Sequence, residues 1–389
     1  MQFEFATATR IVFGEGAVRE VAPAAKQMGR RALLVTGRGQ ERPERLSAEL
    51  KAAGVVCNTF ATDGEPTINL VRRGAEYARN EQCDVLIAFG GGSAIDAGKA
   101  IAALLTNPGD LMDYLEVVGG GKPMQSPAAP LMTVPTTAGT GSEVTRNAVL
   151  GVTERRVKVS LRSPLMLPRL AVVDPELTLG LPPAVTARTG LDALTQLIEA
   201  YVSIRANPLT DGFCVEGIRR AARSLRRAFH EGHDLEARRD MSLAALLSGL
   251  ALANGGLGVV HGFAGPLGGR FPAPHGAICA ALLPHGMEIN LRALRARAPE
   301  SQALRRYGEV ARILTGRPDV PAEEGIAWAR ETCRELEIPS LSAYGMSEQD
   351  VPALIAAAAQ ASSMKGNPLV LAPEELREVL LRSMKGSDE

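Results

Sequence analysis

The chain changes character partway along its length, and that change constrains the fold more than any other feature. Up to Asp174, short apolar runs alternate with amphipathic stretches; from Pro182 onward Ala, Leu, Arg and Glu recur at helical spacing with no strand pattern before the end. Ala32 to Thr36, Asp84 to Phe89, Leu131 to Val134 and Leu170 to Val173 read as buried strands, each bounded by Gly, Pro or Asp. Stretches at roughly 40–53, 67–81 and 93–105 read as helices. Such β-α alternation implies a parallel sheet covered on both faces. The expected fold is an α/β N-terminal domain followed by an all-α C-terminal domain. The break at LGLPP puts these at residues 1–180 and 181–389.

Charge and composition exclude several function classes. The 43 Lys and Arg balance 43 Asp and Glu, which leaves no electrostatic case for nucleic acid or a membrane as partner. Only 4% of residues are aromatic, too few for stacking platforms along a strand of bases. Five cysteines (Cys57, Cys83, Cys214, Cys279, Cys333) form no C-x-x-C pair, which argues against a disulfide framework or zinc ribbon and for a reducing cytoplasm. The start, MQFEFATATR, lacks the apolar core of a signal peptide. Ser242 to Val260 has no charge and is long enough to span a bilayer, but Ser242, Ser248, Asn254, Gly255 and Gly256 within it point to a buried helix.

Two loops carry the signature of a phosphate site. The strand DVLIAF runs into Gly90, Gly91, Gly92 and Ser93, where a helix begins; Ser93 with Asp96 has nearly the form of a capping box. Glycines after a buried strand let a ligand approach the backbone, and the helix start offers unpaired N–H groups to a pyrophosphate. The run is not a Walker A loop, because five residues separate Gly92 from Gly98 and Ala100 follows Lys99. Nor is there a G-x-G-x-x-G: after ALLVT, Arg42 stands where the third Gly of Gly37-Arg38-Gly39 would require one. Pro135 to Glu143, following the strand LMTV, is a second loop of small and hydroxyl residues at a strand's carboxyl end. A tight connection is the alternative for the glycine turn alone; two such loops suggest a dinucleotide cleft.

The second half supplies candidate metal ligands. In TGLDALTQLIEAYVS, an apolar stripe (Leu191, Leu194, Ile198, Tyr201) lies beside a polar one (Asp192, Gln196, Glu199, Ser203). Asp192 and Gln196 are one helical turn apart, the spacing of metal ligands and equally of a surface hydrogen-bonded pair. His261 and His275 bracket HGFAGPLGGRFPAPH, whose Gly and Pro content reads as a functional loop.

Together, GGGSAIDAGKA, PTTAGTGSEVT, TGLDALTQLIEAYVS, HGFAGPLGGRFPAPHG and GNPLVLAPEELREVL resemble the iron-containing (group III) alcohol dehydrogenase family, in order and over nearly the whole chain. The resemblance implies the dehydroquinate-synthase-like architecture, with an α/β dinucleotide domain, a helical domain and a cleft between them. It implies cofactor contacts at Gly91, Gly92, Ser93 and Asp96, at Thr136, Thr137, Thr140 and Thr145, and at Lys158, which could equally be a solvated strand residue. It implies a divalent metal, iron or zinc, held by an Asp and three His. Asp192, His261 and His275 match three of these ligands, while Gln196 stands where the family has the remaining His and Gly265 replaces another common histidine. An amide oxygen is a weaker donor than imidazole, so weak binding, ligation by Gln196, or metal-independent work as in the similar maleylacetate reductases are all open.

The implied reaction is hydride transfer between a nicotinamide cofactor, NAD or NADP, and a small alcohol or an aldehyde or ketone, with Asp192, His261 and His275 as its catalytic centre. Relatives favouring NAD place an acidic residue where Gly37 stands, and Arg38 beside it could pair with a 2′-phosphate; NADP is therefore expected to be tolerated or preferred. Competing readings are a dehydroquinate-synthase-like lyase, whose basic cluster for its substrate is not apparent, and a non-catalytic relative. A homodimer or higher homo-oligomer is expected, with FEFATATRIVFG as an exposed hairpin pairing between subunits.

Overall fold

The structure is a computed structural model and describes residues 2–37, 39, 41–155 and 157–386. The described residues fall into two compact units: those within 6–137 and 141–178, and those within 179–386 joined by 2–5 and by 138–140.

The first unit contains, in chain order, β1 (Arg10–Phe13), α1 (Val21–Met28), β2 (Arg31–Thr36), α2 (Glu41–Ala52), β3 (Val56–Ala61), α3 (Ile68–Asn80), β4 (Val85–Gly90), α4 (Gly92–Thr106), α5 (Leu111–Tyr114), β5 (Leu131–Pro135), β6 (Asn147–Val152), β7 (Val157–Arg162) and β8 (Leu170–Val173). Six strands form a sheet in the order β1-β8-β5-β4-β2-β3, parallel at every pairing. Every residue of β4 is buried because both faces of the sheet are covered, and the period of two sorts its side chains between two cores. Leu33, Val35, Leu86 and Ala88 face one way and pack with Val71 of α3 and Ile101 of α4. Leu34, Val85, Ile87 and Phe89 face the other way, with Val21 of α1 and Leu46 and Leu50 of α2. Each such fully buried side chain contributes about 1.5–3 kcal/mol relative to exposure.

Four strands escaped the reading for buried apolar runs, each for a local reason. β3 is an edge strand whose burial alternates and whose sequence, VCNTFA, includes two polar residues. β6 and β7 make a separate antiparallel ribbon. β1 lies at the other edge and pairs with β8, Arg10 opposite Leu170 through Phe13 opposite Val173. That last pairing corrects the expected N-terminal hairpin: Arg10–Phe13 completes the chain's own sheet, and Gln2–Ala8 forms neither helix nor strand.

The second unit is helical: α6 (Pro183–Val202), α7 (Pro208–His230), α8 (Leu235–Gly255), α9 (Val259–Arg270), α10 (His275–Arg297), α11 (Gln302–Thr315), α12 (Ala322–Glu335), α13 (Val351–Gln360) and α14 (Pro373–Lys385). α6 is buried at every position from Gly190 to Val202, so its polar stripe faces protein, not water. One apolar cluster joins Phe263 of α9, Ile278 and Leu282 of α10, Leu354 of α13 and Val379 of α14. The uncharged stretch beginning at Ser242 occupies the buried second half of α8 and ends at a 100° bend into α9; no single helix among the described residues is long and apolar enough to cross a membrane.

Candidate functional site

Each unit holds a cluster of buried polar groups among the residues expected to form a site. In the α/β unit, β3 lies on one side of β2 and the chain then crosses to β4 on the other side. The carboxyl ends of β2 and β4 therefore flank a topological switch point, where open α/β sheets bind ligands. Gly37 follows β2, and Gly90 ends β4 with φ +155°; a Cβ there would sit 2.8 Å from that of Ala94 and 3.3 Å from the Gly37 nitrogen, so only glycine makes this turn. Gly91 is the N-cap of α4 and no side chain caps the helix, which leaves Gly92 and Ser93 in a first turn able to offer N–H groups to an anion. The second loop lies against this turn: Thr136 N–H donates to the Gly90 carbonyl at 2.9 Å, and a Cβ on Gly91 would be 3.4 Å from the Thr137 side chain. A cavity of about 710 Å³ opens at the ends of β2 and β3, with Thr36, Gly37, Gly39, Lys51 and Asp63 in its wall. Arg38 lies outside the described residues.

The other expected cofactor residues are placed differently. Asp96 does not form a capping box with Ser93, because α4 starts one residue before Ser93 and the N-cap position is Gly91. Its carboxylate instead accepts hydrogen bonds from Ser142 Oγ at 2.5 Å and Val149 N at 2.9 Å. Three residues on, fully buried Lys99 donates from Nζ to Ser142 Oγ and Thr145 Oγ1, both at 2.7 Å, and to the Asn147 carbonyl at 2.8 Å. All three ammonium protons thus have acceptors, and Thr145 is engaged in holding Lys99. Burial lowers the Lys99 pKa to about 8 against the pull of Asp96 and Glu143; burial likewise raises that of Glu143 to about 7. Lys158, on β7, pairs with Glu65. Thr140 groups with the helical unit.

In the helical unit, the buried stripe of α6 supplies Asp192, Gln196 and Glu199. The Glu199 carboxylate accepts from Val260 N at 2.7 Å, His261 N at 3.3 Å and His261 Nδ1 at 2.7 Å. An anion is favoured at this helix N-terminus, and the hydrogen bond to Nδ1 leaves Nε2 as the nitrogen available to a cation. His261 Nε2 lies 3.4 Å from Asp192 Oδ1. His275 opens α10, which starts hard against α6: a Cβ on Gly276 would come within 2.2 Å of the Arg188 carbonyl. His275 Nε2 is 3.7 Å from Asp192 Oδ1. One turn later, Cys279 places its sulfur 3.7 Å from His261 Nε2 and 3.6 Å from His275 Nε2.

The expected Gly- and Pro-rich loop between the two histidines is therefore mostly helix, α9, with Pro266 inside it. Val259, Val260, Phe263, Ala264 and Leu267 are buried there, and this packing overrides the weak helix propensity of Gly and Pro.

The ligand atoms of Asp192, His261, His275 and Cys279 all lie within 4.8 Å of one another. Asp192 Oδ1 is buried without a hydrogen bond, a costly condition for a carboxylate unless a cation completes it. Burial acts to raise the Asp192 pKa, yet the neighbouring imidazoles hold it below the ordinary value. Burial acts to lower His275, but the charges at Cys279 and Asp192 lift it to about 9; His261 is driven well above its usual range by the same neighbours and Glu199, again against burial. A field that raises the proton affinity of both imidazoles also favours a divalent cation. The residues present thus fit a metal. Gln196 lies one turn from Asp192, with its Oε1 2.8 Å from Ser248 Oγ. Two participants went unassigned in the sequence: Glu199, visible in the polar stripe but mute about its partner, and Cys279, which no motif singles out.

Known proteins resemble both units. The profile described as "Iron-containing alcohol dehydrogenase" matches residues 8–175, and that described as "Fe-containing alcohol dehydrogenase family, C-terminal" matches residues 186–384. A choline dehydrogenase of Bacillus subtilis is 37% identical over 371 residues, covering 94% of this chain and 90% of its own. A 1,3-propanediol dehydrogenase of Klebsiella pneumoniae is 38% identical over 369 residues, covering 92% of each. The crystal structure of a 1,3-propanediol oxidoreductase superposes with a TM-score of 0.90 at 35% identity, over 98% of this chain and 100% of that one. Since both halves match one family in order, at this identity and over nearly the full length, the chain belongs to the iron-containing alcohol dehydrogenase family.

Proposed function

We propose that the chain oxidises a small alcohol, or reduces the matching aldehyde or ketone, with a nicotinamide dinucleotide held by the ends of β2, β4 and β5 and a divalent cation held by Asp192, His261 and His275. Family membership makes it an NAD(P)-dependent alcohol oxidoreductase with a divalent metal; the residue roles are our reading. The observation that carries it is the buried, unbonded Asp192 Oδ1 facing two imidazoles. When bound, the cation supplies Lewis-acid polarisation of the substrate oxygen. The dinucleotide accepts or delivers the hydride.

The chain's own residues supply the rest. Glu199 fixes the tautomer and direction of His261. Asp192 brings the negative charge that makes the site cationophilic. Gly90 and Gly91 allow a pyrophosphate to reach the first turn of α4, and the Lys99 knot anchors the end of the second loop through Ser142 and the chain just past it through Thr145. Gly37 in place of a carboxylate supports acceptance of NADP, since no charge at that position repels a 2′-phosphate. The unsatisfied carboxylate speaks against metal-independent work.

The relatives' names span choline and 1,3-propanediol, so the substrate has to be found by assay. Purified protein is incubated with NAD+ or NADP+, with and without divalent metal, across a panel of short alcohols, and nicotinamide absorbance is followed. Metal-dependent turnover, with a catalytic efficiency for NADP+ no lower than for NAD+, is expected. No turnover under any of these conditions would overturn the proposal, and a clear preference for NAD+ would overturn the reading of Gly37.

A further inference from the structure

Cys279 offers what Gln196 withholds. The cluster has three ligands of the type the family's metal site implies, and the position one turn beyond Asp192 carries an amide whose oxygen lies 2.8 Å from the Ser248 hydroxyl. On the opposite side, α10 presents His275 and Cys279 four residues apart, on one face and one turn from each other.

The distances test whether the sulfur stands where a ligand should. A tetrahedral ion with nitrogen or oxygen donors at about 2.0–2.1 Å and sulfur at about 2.3 Å has edges of about 3.3 Å between N or O donors and about 3.6 Å between sulfur and nitrogen. Asp192 Oδ1 stands 3.4 and 3.7 Å from the two imidazole nitrogens. The Cys279 sulfur stands 3.7 and 3.6 Å from the same nitrogens. Four of the six edges thus lie within about 0.4 Å of those of such a polyhedron, and all four donor atoms lie within 4.8 Å of one another, so little movement closes them on an ion. Cys279 is fully buried, as a packing cysteine would be, but a packing cysteine has no reason to sit within 4 Å of two imidazoles beside an unbonded carboxylate.

We infer that the cation is held by Asp192, His261, His275 and the Cys279 thiolate, with Gln196 outside the coordination sphere. This rests on the metal reading proposed above and sharpens it. A thiolate is a soft donor, so the site selects zinc over iron, departing from the family's description. The His275 side chain is 37% exposed, which leaves the cluster reachable from that side, and a fifth ligand is accommodated by expansion of the tetrahedron.

The experiment loads metal-free protein with Co(II) and records its absorption spectrum alongside cobalt per chain, for the natural chain, Cys279→Ser and Gln196→Ala. One cobalt per chain with a near-ultraviolet sulfur-to-cobalt charge-transfer band is expected, together with loss of the band and about 100-fold or more weaker binding in Cys279→Ser. Gln196→Ala should keep both band and stoichiometry. Stoichiometric cobalt without the band in the natural chain overturns the Cys279 assignment while leaving the metal reading intact, and this needs no variant to fold. A band that survives Cys279→Ser, or is lost in Gln196→Ala, also overturns it. No cobalt uptake at all overturns the metal reading and this inference together.

Discussion

The Lys99 knot and the Asp192 cluster are built from the same materials and are in opposite conditions. Each is buried, each couples a carboxylate to cationic groups, and each starts from residues three or four apart on a buried helix. Around Lys99 every ammonium proton has an acceptor and Asp96 accepts from two donors. Around Asp192 one carboxylate oxygen has none, while two imidazole nitrogens stand 3.4 and 3.7 Å from it and the Cys279 sulfur lies within 4.8 Å. A complete network holds a structure together; an incomplete one is shaped for something that completes it. It is the accounting of partners that separates the two roles.

That contrast can be broken at either end. Asp192→Asn should lower kcat/KM by about a thousandfold, or about 4 kcal/mol, yet leave the unfolding midpoint of metal-free protein within a few degrees, because Asp192 Oδ1 has no hydrogen bond there to lose. A collapse in metal-free stability would instead make Asp192 structural. Lys99→Met should do the opposite: destabilise the folded chain by about 3 kcal/mol or more in chemical denaturation, since Asp96 and the Ser142, Thr145 and Asn147 acceptors lose their common donor. A neutral result there would show that the knot is dispensable.

Smaller effects refine the same comparison. Glu199→Gln keeps a polar group beside His261 but removes the charge, and metal affinity read by competition with a chelator should fall about 10–100-fold. In the knot, burial raises Glu143 from its ordinary 4.5 to about 7. The folded chain therefore binds more protons than the unfolded one between those values, and the contribution of Glu143 to stability falls as pH rises through that window. Glu143→Gln removes the slope, so its melting midpoint relative to the natural chain should be about 2 °C higher near pH 7.5 than near pH 5. Equal offsets at the two pH values would mean Glu143 is ionised throughout.

The fold class was legible because its signals are local. β2, β4, β5 and β8 are apolar runs buried on both faces, and α2, α3 and α4 carry helical periodicity; the structure caps α3 with Thr67 Oγ1. What stayed hidden depends on partners far along the chain. β1 reads as half a hairpin until β8 lies beside it. The segment between His261 and His275 reads as loop until Phe263 and Leu267 find the apolar faces of other helices. Asp192, His261 and His275 could be named from motifs, but Cys279 needed the folded chain, since a lone cysteine four residues after a histidine gains meaning only when both face a carboxylate from another helix. Arg38, on which the cofactor preference partly turned, lies outside the described residues, and Gly37 alone carries that expectation.

The central claim is that the unsatisfied cluster of the helical unit is a cation site. Titrating metal-free protein with zinc in a calorimeter, for the natural chain and Asp192→Asn side by side, tests it most directly. The account predicts one equivalent bound per natural chain and no stoichiometric binding to Asp192→Asn. Absence of binding to the natural chain, or the same isotherm for both proteins, would contradict it.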